Sequence, residues 1–112
     1  MSKRASPSQR ITEEVVAWDG VTAGFGSRGE FAFKLRGREI GHLHGDRAAH
    51  FFFARNLWSK LKSAGRIEPH PVFPDKEGPA ARRIRDEADI DDVIALMRLS
   101  YDAILARAGQ PV

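Results

Sequence analysis

Four histidines in one short segment are the residues of this chain whose types and spacing could support chemistry. Two carboxylates lie in the same segment, and the full set of candidate site residues is His42, His44, His50, His70, Asp46 and Glu68. Histidine titrates near neutral pH and is the commonest metal ligand in proteins. Imidazole and carboxylate together are ligands of zinc and non-haem iron, and they also suit acid–base catalysis. The pattern therefore predicts a histidine-lined pocket for a metal or a small molecule.

The four histidines are the metal-ligand candidates, with zinc or iron as the metal, and Asp46 or Glu68 is expected to orient a ring or add a ligand. Histidines on a strand are also often structural, because each half-buried ring can bond a carbonyl or carboxylate nearby. The residues alone are compatible with an enzyme, a binding module or a braced sheet face. Motifs this short are hypotheses.

The composition limits the class of protein. A chain of 112 residues is expected to form one domain, here over residues 6–108, with a disordered N-terminus at 1–5 and a C-terminal tail at 109–112. There is no cysteine, which excludes disulfides and thiolate chemistry within the chain. No apolar run is long enough to span a bilayer and no signal peptide is evident. We therefore expect a cytoplasmic protein that does not insert into membranes.

The positive charge is modest and gives only a weak indication of nucleic-acid binding. The net charge is +3, with 18 basic and 15 acidic residues. Arg82, Arg83 and Arg85 could form a phosphate-binding patch, but a solvated sheet face or ion pairs with Asp86 and Glu87 are favoured. A nucleic-acid or protein-binding module with structural histidines is the alternative prediction.

The hydrophobic periodicity predicts an α+β fold. Ser6 begins an N-terminal helix as its cap, residues 54–64 form a middle helix, and residues 88–108 form a long C-terminal helix. Between them, alternating segments predict strands at 21–25, 31–35, 39–44, 50–53 and 80–85. The tight turns between strands favour an antiparallel sheet of about four to six strands, packed by the three helices.

The predicted register decides which way the histidines face. His42 and His44 are two residues apart on one strand and so share a face. A turn on Gly37-Arg38 would pair Phe33 with His42 and place the histidines on the face of the phenylalanines. A register change of one residue would move both histidines to the opposite face.

Three motifs carry a resemblance to a known family. They are GREIGHLHGD at residues 37–46, GRIEPH at 65–70 and LMRLSY at 96–101. The segment 18–101 resembles the luciferase-like domain, or "luciferase family protein", whose function is undefined. The resemblance implies that His42, His44, His50 and His70 belong to one group. The layout is also similar, more weakly, to the MmcQ/YjbR-type double-wing fold, for which DNA binding has been proposed.

Overall fold

Three helices and six strands make up the computed structural model, which describes residues 5–108. In chain order the elements are α1 (Pro7–Val16), β1 (Val21–Phe25), β2 (Phe31–Leu35), β3 (Arg38–His44), β4 (Ala48–Phe52), α2 (Arg55–Ser63), β5 (Glu68–Pro69), β6 (Pro79–Arg83) and α3 (Glu87–Ala108). The predicted tail at 109–112 and, apart from Ala5, the predicted disordered segment at 1–5 lie outside the described residues.

The six strands form one antiparallel sheet with the order β1-β2-β3-β4-β6-β5. Buried side chains from the sheet and all three helices form one hydrophobic cluster. The predicted α+β class, the sheet of four to six strands and the three helices are therefore confirmed. The short β5 is an addition to the expected strands, because a two-residue strand is too brief to show a periodic pattern. β4 also begins two residues before the expected strand at 50–53, and β6 ends two residues before the end of the expected strand at 80–85.

The start of α1 follows from its sequence. The Ser6 side chain accepts a hydrogen bond from the Gln9 backbone, and the Gln9 side chain accepts one from the Ser6 backbone. This capping box satisfies two backbone donors at the helix end, and Pro7 occupies a first-turn position where it loses no hydrogen bond. Ile11 and Val15 then face the core, one turn apart.

The β2–β3 hairpin differs from the predicted register. Its turn is centred on Arg36-Gly37, both with positive φ (53° and 79°), so that Leu35 pairs with Arg38. Positive φ at both central residues is the geometry of the tight turn that matches strand twist. The predicted turn on Gly37-Arg38 lay one residue too late. With the observed turn alone, each β2 residue would pair with the β3 residue two positions earlier than predicted, so no side chain would change face.

A β-bulge then reverses the predicted face of the histidines. Lys34 pairs with Glu39 but Phe33 pairs with Gly41, so Ile40 is the extra residue of β3. One extra residue shifts the alternation by one, and Ala32, not Phe33, is the partner of His42. The prediction that His42 shares the phenylalanine face was wrong for this reason.

Gly41 shows why the bulge is tolerated. A Cβ atom on Gly41 would lie 2.9 Å from the Met97 Sδ, 3.0 Å from a Phe51 ring carbon and 3.1 Å from the His50 carbonyl oxygen. Ile40, its neighbour, is buried in the core. The strand therefore approaches α3 at Gly41, fills the core with Ile40, and turns the histidines outward.

Within residues 5–108, none of the helices has the length and apolar character needed to cross a lipid bilayer.

Candidate functional site

Three histidines meet on the sheet face opposite the core. His42 and His44 share a face of β3, and His42 pairs across the ladder with His50 of β4. The ring centroids are 4.9 Å apart for His42 and His44, 5.2 Å for His42 and His50, and 4.4 Å for His44 and His50. Two paired strands therefore fix the positions of all three rings, which we call the histidine cluster.

His70 reaches the same place from a distant part of the chain. It follows β5, which pairs with β6 at the edge of the sheet, and it forms an isolated bridge with Phe73. Its ring centroid lies 4.3 Å from that of His50. The structure thus brings the fourth predicted histidine next to the cluster.

Glu39 orients the first ring of the cluster. Its Oε2 lies 3.0 Å from Nδ1 of His42, so that the imidazole N–H donates to the carboxylate. This bond leaves Nε2 of His42 with its lone pair, and that atom lies 3.1 Å from Nε2 of His44. A carboxylate on the distal nitrogen of a histidine is the usual support of a metal-binding imidazole.

The nitrogen positions suit a shared metal ion. Two imidazole nitrogens bound to one tetrahedral zinc lie about 3.3 Å apart, since each Zn–N bond is about 2.0 Å. The 3.1 Å separation between His42 and His44 is close to this distance. One ligand nitrogen from each of His42, His44 and His50 lies within 4.8 Å of the other two, and ring rotation can close the remaining gap. Three nitrogen ligands would leave one coordination position open.

His50 is the most deeply placed member of the cluster. Burial, followed by the neighbouring charges of His70, His44 and His42, lowers the pKa of His50 to about 4. Its ring is therefore neutral at physiological pH, the state in which imidazole binds a metal. Its Nδ1 is shielded from solvent and has no hydrogen-bond partner among residues 5–108. Such an orphaned nitrogen is costly unless a ligand or ion satisfies it.

The two carboxylates expected from the sequence make other contacts. Asp46 accepts a hydrogen bond from the Ser8 backbone N–H at 2.9 Å, and Glu68 lies 3.7 Å from Nε of Arg83. The sequence analysis missed Glu39, because residues three apart on a regular strand face opposite ways. The bulge at Ile40 places Glu39 and His42 on one face, and no local sequence pattern predicts this bulge.

An open cavity of about 520 Å³ adjoins the cluster. Its lining consists of histidines, aromatic rings and charged side chains: Glu39, His42, His50, Phe51, Phe52, His70, Phe73, Lys76, Glu77 and Pro79. A second cavity of about 530 Å³, between α1 and the ends of β1–β3, has no histidine in its lining. The first cavity therefore combines a space of ligand size with three of the four histidines.

The arginines considered for nucleic-acid binding are neutralised by carboxylates. Arg82 pairs with Asp89 at 2.6 Å and with Asp92 at 3.1 Å, and Arg85 also pairs with Asp89. Nε of Arg83 lies 3.7 Å from the Glu68 carboxylate. The Arg82 contacts tie β6 to α3 and the Arg83 contact ties β6 to β5, so each of the three arginines has a carboxylate within 4 Å.

A comparison with protein families finds a match to the model described as Luciferase domain, over residues 37–100. The matched segment runs from the β2–β3 turn into α3 and includes all four histidines and Glu39. No match was found among curated proteins or among solved structures.

Proposed function

This chain belongs to the Luciferase domain family, and we propose that it is a small domain that binds a divalent transition metal through His42, His44 and His50. The ligand types and the lack of cysteine favour zinc or iron. The metal would keep an open position toward the adjoining cavity, where a small molecule would bind. The proposal also includes the cytoplasmic location expected from the sequence.

One observation carries the proposal. The Nε2 atoms of His42 and His44 lie 3.1 Å apart, with the Glu39 carboxylate on the far nitrogen of His42. Histidines that only brace a sheet would direct their N–H groups to carbonyls or to separate partners. Here the nitrogens converge on one another, and the buried Nδ1 of His50 is left without a partner among residues 5–108.

Metal binding by the purified protein tests the proposal. The wild-type chain, first stripped with a chelator, is titrated with zinc and, under anaerobic conditions, with ferrous iron, and bound metal is measured by calorimetry and elemental analysis. We expect one ion per chain. The free energy of unfolding should rise with metal concentration, by about 2.7 kcal/mol when free metal is 100-fold above the dissociation constant, and the midpoint of thermal unfolding should rise with it.

The variant His42→Ala/His44→Ala should lose the metal and its stabilising effect. Lys34→Ala is the matched control, because Lys34 is an exposed residue on the same face of the neighbouring strand. Equal metal uptake by the double variant and the control would contradict the proposal. If the wild type takes up no metal, the histidines would serve metal-free binding or proton transfer. Tight, salt-dependent DNA binding would support the alternative module instead.

A further inference from the structure

His70 carries its proton on the side that faces away from its own backbone. The backbone N–H of Val72 donates to Nδ1 of His70 at 3.1 Å, so Nδ1 holds a lone pair and Nε2 holds the hydrogen in the neutral ring. With Nδ1 occupied by the backbone, His70 offers a donor and not a metal lone pair.

The cavity beside His70 has an apolar wall. Phe52 and Phe73 line it, and these residues are 73% and 41% exposed, so two large aromatic residues face solvent beside the histidines. Exposed aromatic side chains cost free energy in water, and a cluster of them beside polar groups is typical of a site where an apolar part of a ligand binds. The volume of about 520 Å³ is sufficient for a small organic molecule.

Among the charged side chains that line the cavity, the acidic ones have partners and a lysine has no carboxylate partner within residues 5–108. Glu39 is bonded to His42, and Glu77 pairs with Nε of Arg55 at 3.0 Å, so both acidic groups of the lining have partners. Lys76 lies with its Nζ 5.1 Å from the Phe73 ring centroid and has no carboxylate partner among residues 5–108. A bound divalent ion would add further positive charge.

From these contacts we infer that the cavity takes an organic carboxylate with an apolar body. The carboxylate would occupy the open metal position and accept a hydrogen bond from Nε2–H of His70. The apolar body would cover Phe52 and Phe73, with the Lys76 ammonium nearby. His70 is then a ligand-binding residue and not a fourth metal ligand. This inference rests on the proposed metal site.

The test compares three probes on the zinc-loaded protein by NMR titration: cyclohexanecarboxylate, acetate and cyclohexylmethanol. Acetate lacks the apolar body and the alcohol lacks the charge. Covering about 55 Å² of apolar surface corresponds to about tenfold in affinity, so cyclohexanecarboxylate should bind about tenfold more tightly than acetate. Equal affinity for the carboxylate and the neutral alcohol would overturn the inference.

Lys76→Met should weaken cyclohexanecarboxylate binding by about two- to fivefold, the range of an exposed ion pair. Lys62→Met is the matched control, because Lys62 is also exposed and its Nζ lies 6.0 Å from the Trp58 ring centroid, away from the cavity. The control should bind the probe as the wild type does. Equal binding by the two variants would remove the role assigned to Lys76.

His70→Phe separates the inference from the proposed function. We expect this variant to keep one zinc per chain but to bind the carboxylate about tenfold more weakly, since a hydrogen bond to a charged group is lost. Loss of zinc would make His70 a metal ligand and overturn the inference, whereas the metal site would stand. A wild type that binds zinc but no carboxylate would likewise overturn the inference and leave the metal site standing. A wild type that binds no zinc would refute both the inference and the proposed metal site. Nitrogen chemical shifts of His70 report its tautomer directly.

Discussion

Lowering the pH should destabilise the metal-free protein through His50. Its pKa is about 4 in the folded state because of burial first and of the neighbouring histidines second, whereas its ordinary value is 6.5. Between these two values the unfolded chain binds a proton that the folded chain does not. The free energy of unfolding therefore falls as the pH drops below about 6.5, and the loss levels off only below about pH 4, once the folded state is also protonated.

The size of the effect follows from the two pKa values. At about pH 5 the difference in proton binding corresponds to at most about 2 kcal/mol. His50 is only partly buried, so solvent screening reduces the value. We expect a loss of about 1 kcal/mol between pH 7.5 and pH 5, on the order of a tenth of the stability of a small domain.

Urea unfolding at these two pH values, with a chelator present, measures the loss. His50→Gln should show about 1 kcal/mol less pH dependence than the wild type, because the titrating group is gone. His44→Gln is the matched control, an exposed histidine of the same cluster, and should retain most of the wild-type dependence. Taking the difference between proteins cancels the titration of the carboxylates. If wild type and His50→Gln lose the same stability on acidification, the assigned burial of a neutral His50 is refuted.

Three further substitutions test the frame of the site. Gly41→Ala should cost about 1–3 kcal/mol in urea unfolding, since the added methyl would press on the backbone carbonyl of His50, and a neutral effect would refute the close approach. Asp89→Asn should cost about 2–3 kcal/mol in the same assay, because it removes a carboxylate that is only 5% exposed and bonded to Arg82; a loss under about 0.5 kcal/mol would contradict this role. Glu39→Gln should weaken zinc binding by about 10- to 100-fold in calorimetry while leaving the fold intact, and unchanged affinity would remove its orienting role.

Much of the fold could be predicted because its signals are local. The capping box at Ser6 satisfies donors within one helical turn, and the alternation of Phe31, Phe33 and Leu35 marks a strand with one buried face. The H-x-H spacing likewise places His42 and His44 on one side of their strand whatever the partner strand does. Each of these patterns acts between residues a few positions apart.

The arginines show the limit of such reasoning in another way. For Arg82, Arg83 and Arg85 the sequence favoured a solvated face or ion pairs with Asp86 and Glu87. In the structure Arg82 and Arg85 pair with Asp89, and Arg83 lies near Glu68. Arg82 also pairs with Asp92, so its partners lie on α3, whereas the partner of Arg83 lies on β5. Charge type is a property of the sequence, but the pairing depends on how α3 crosses the sheet.

The sequence by itself determined that two histidines share a strand face and that an antiparallel sheet carries them. Only the tertiary structure decided which face that is, because the face depends on the bulge at Ile40. At this bulge Ile40 is buried in the core and Gly41 lies against Met97 of α3. The same bulge brings Glu39 to His42, and the pairing of β5 with β6 brings His70 to His50. Strand alternation is fixed by backbone geometry within one segment, whereas a bulge and an edge pairing depend on packing between segments that are distant in the chain.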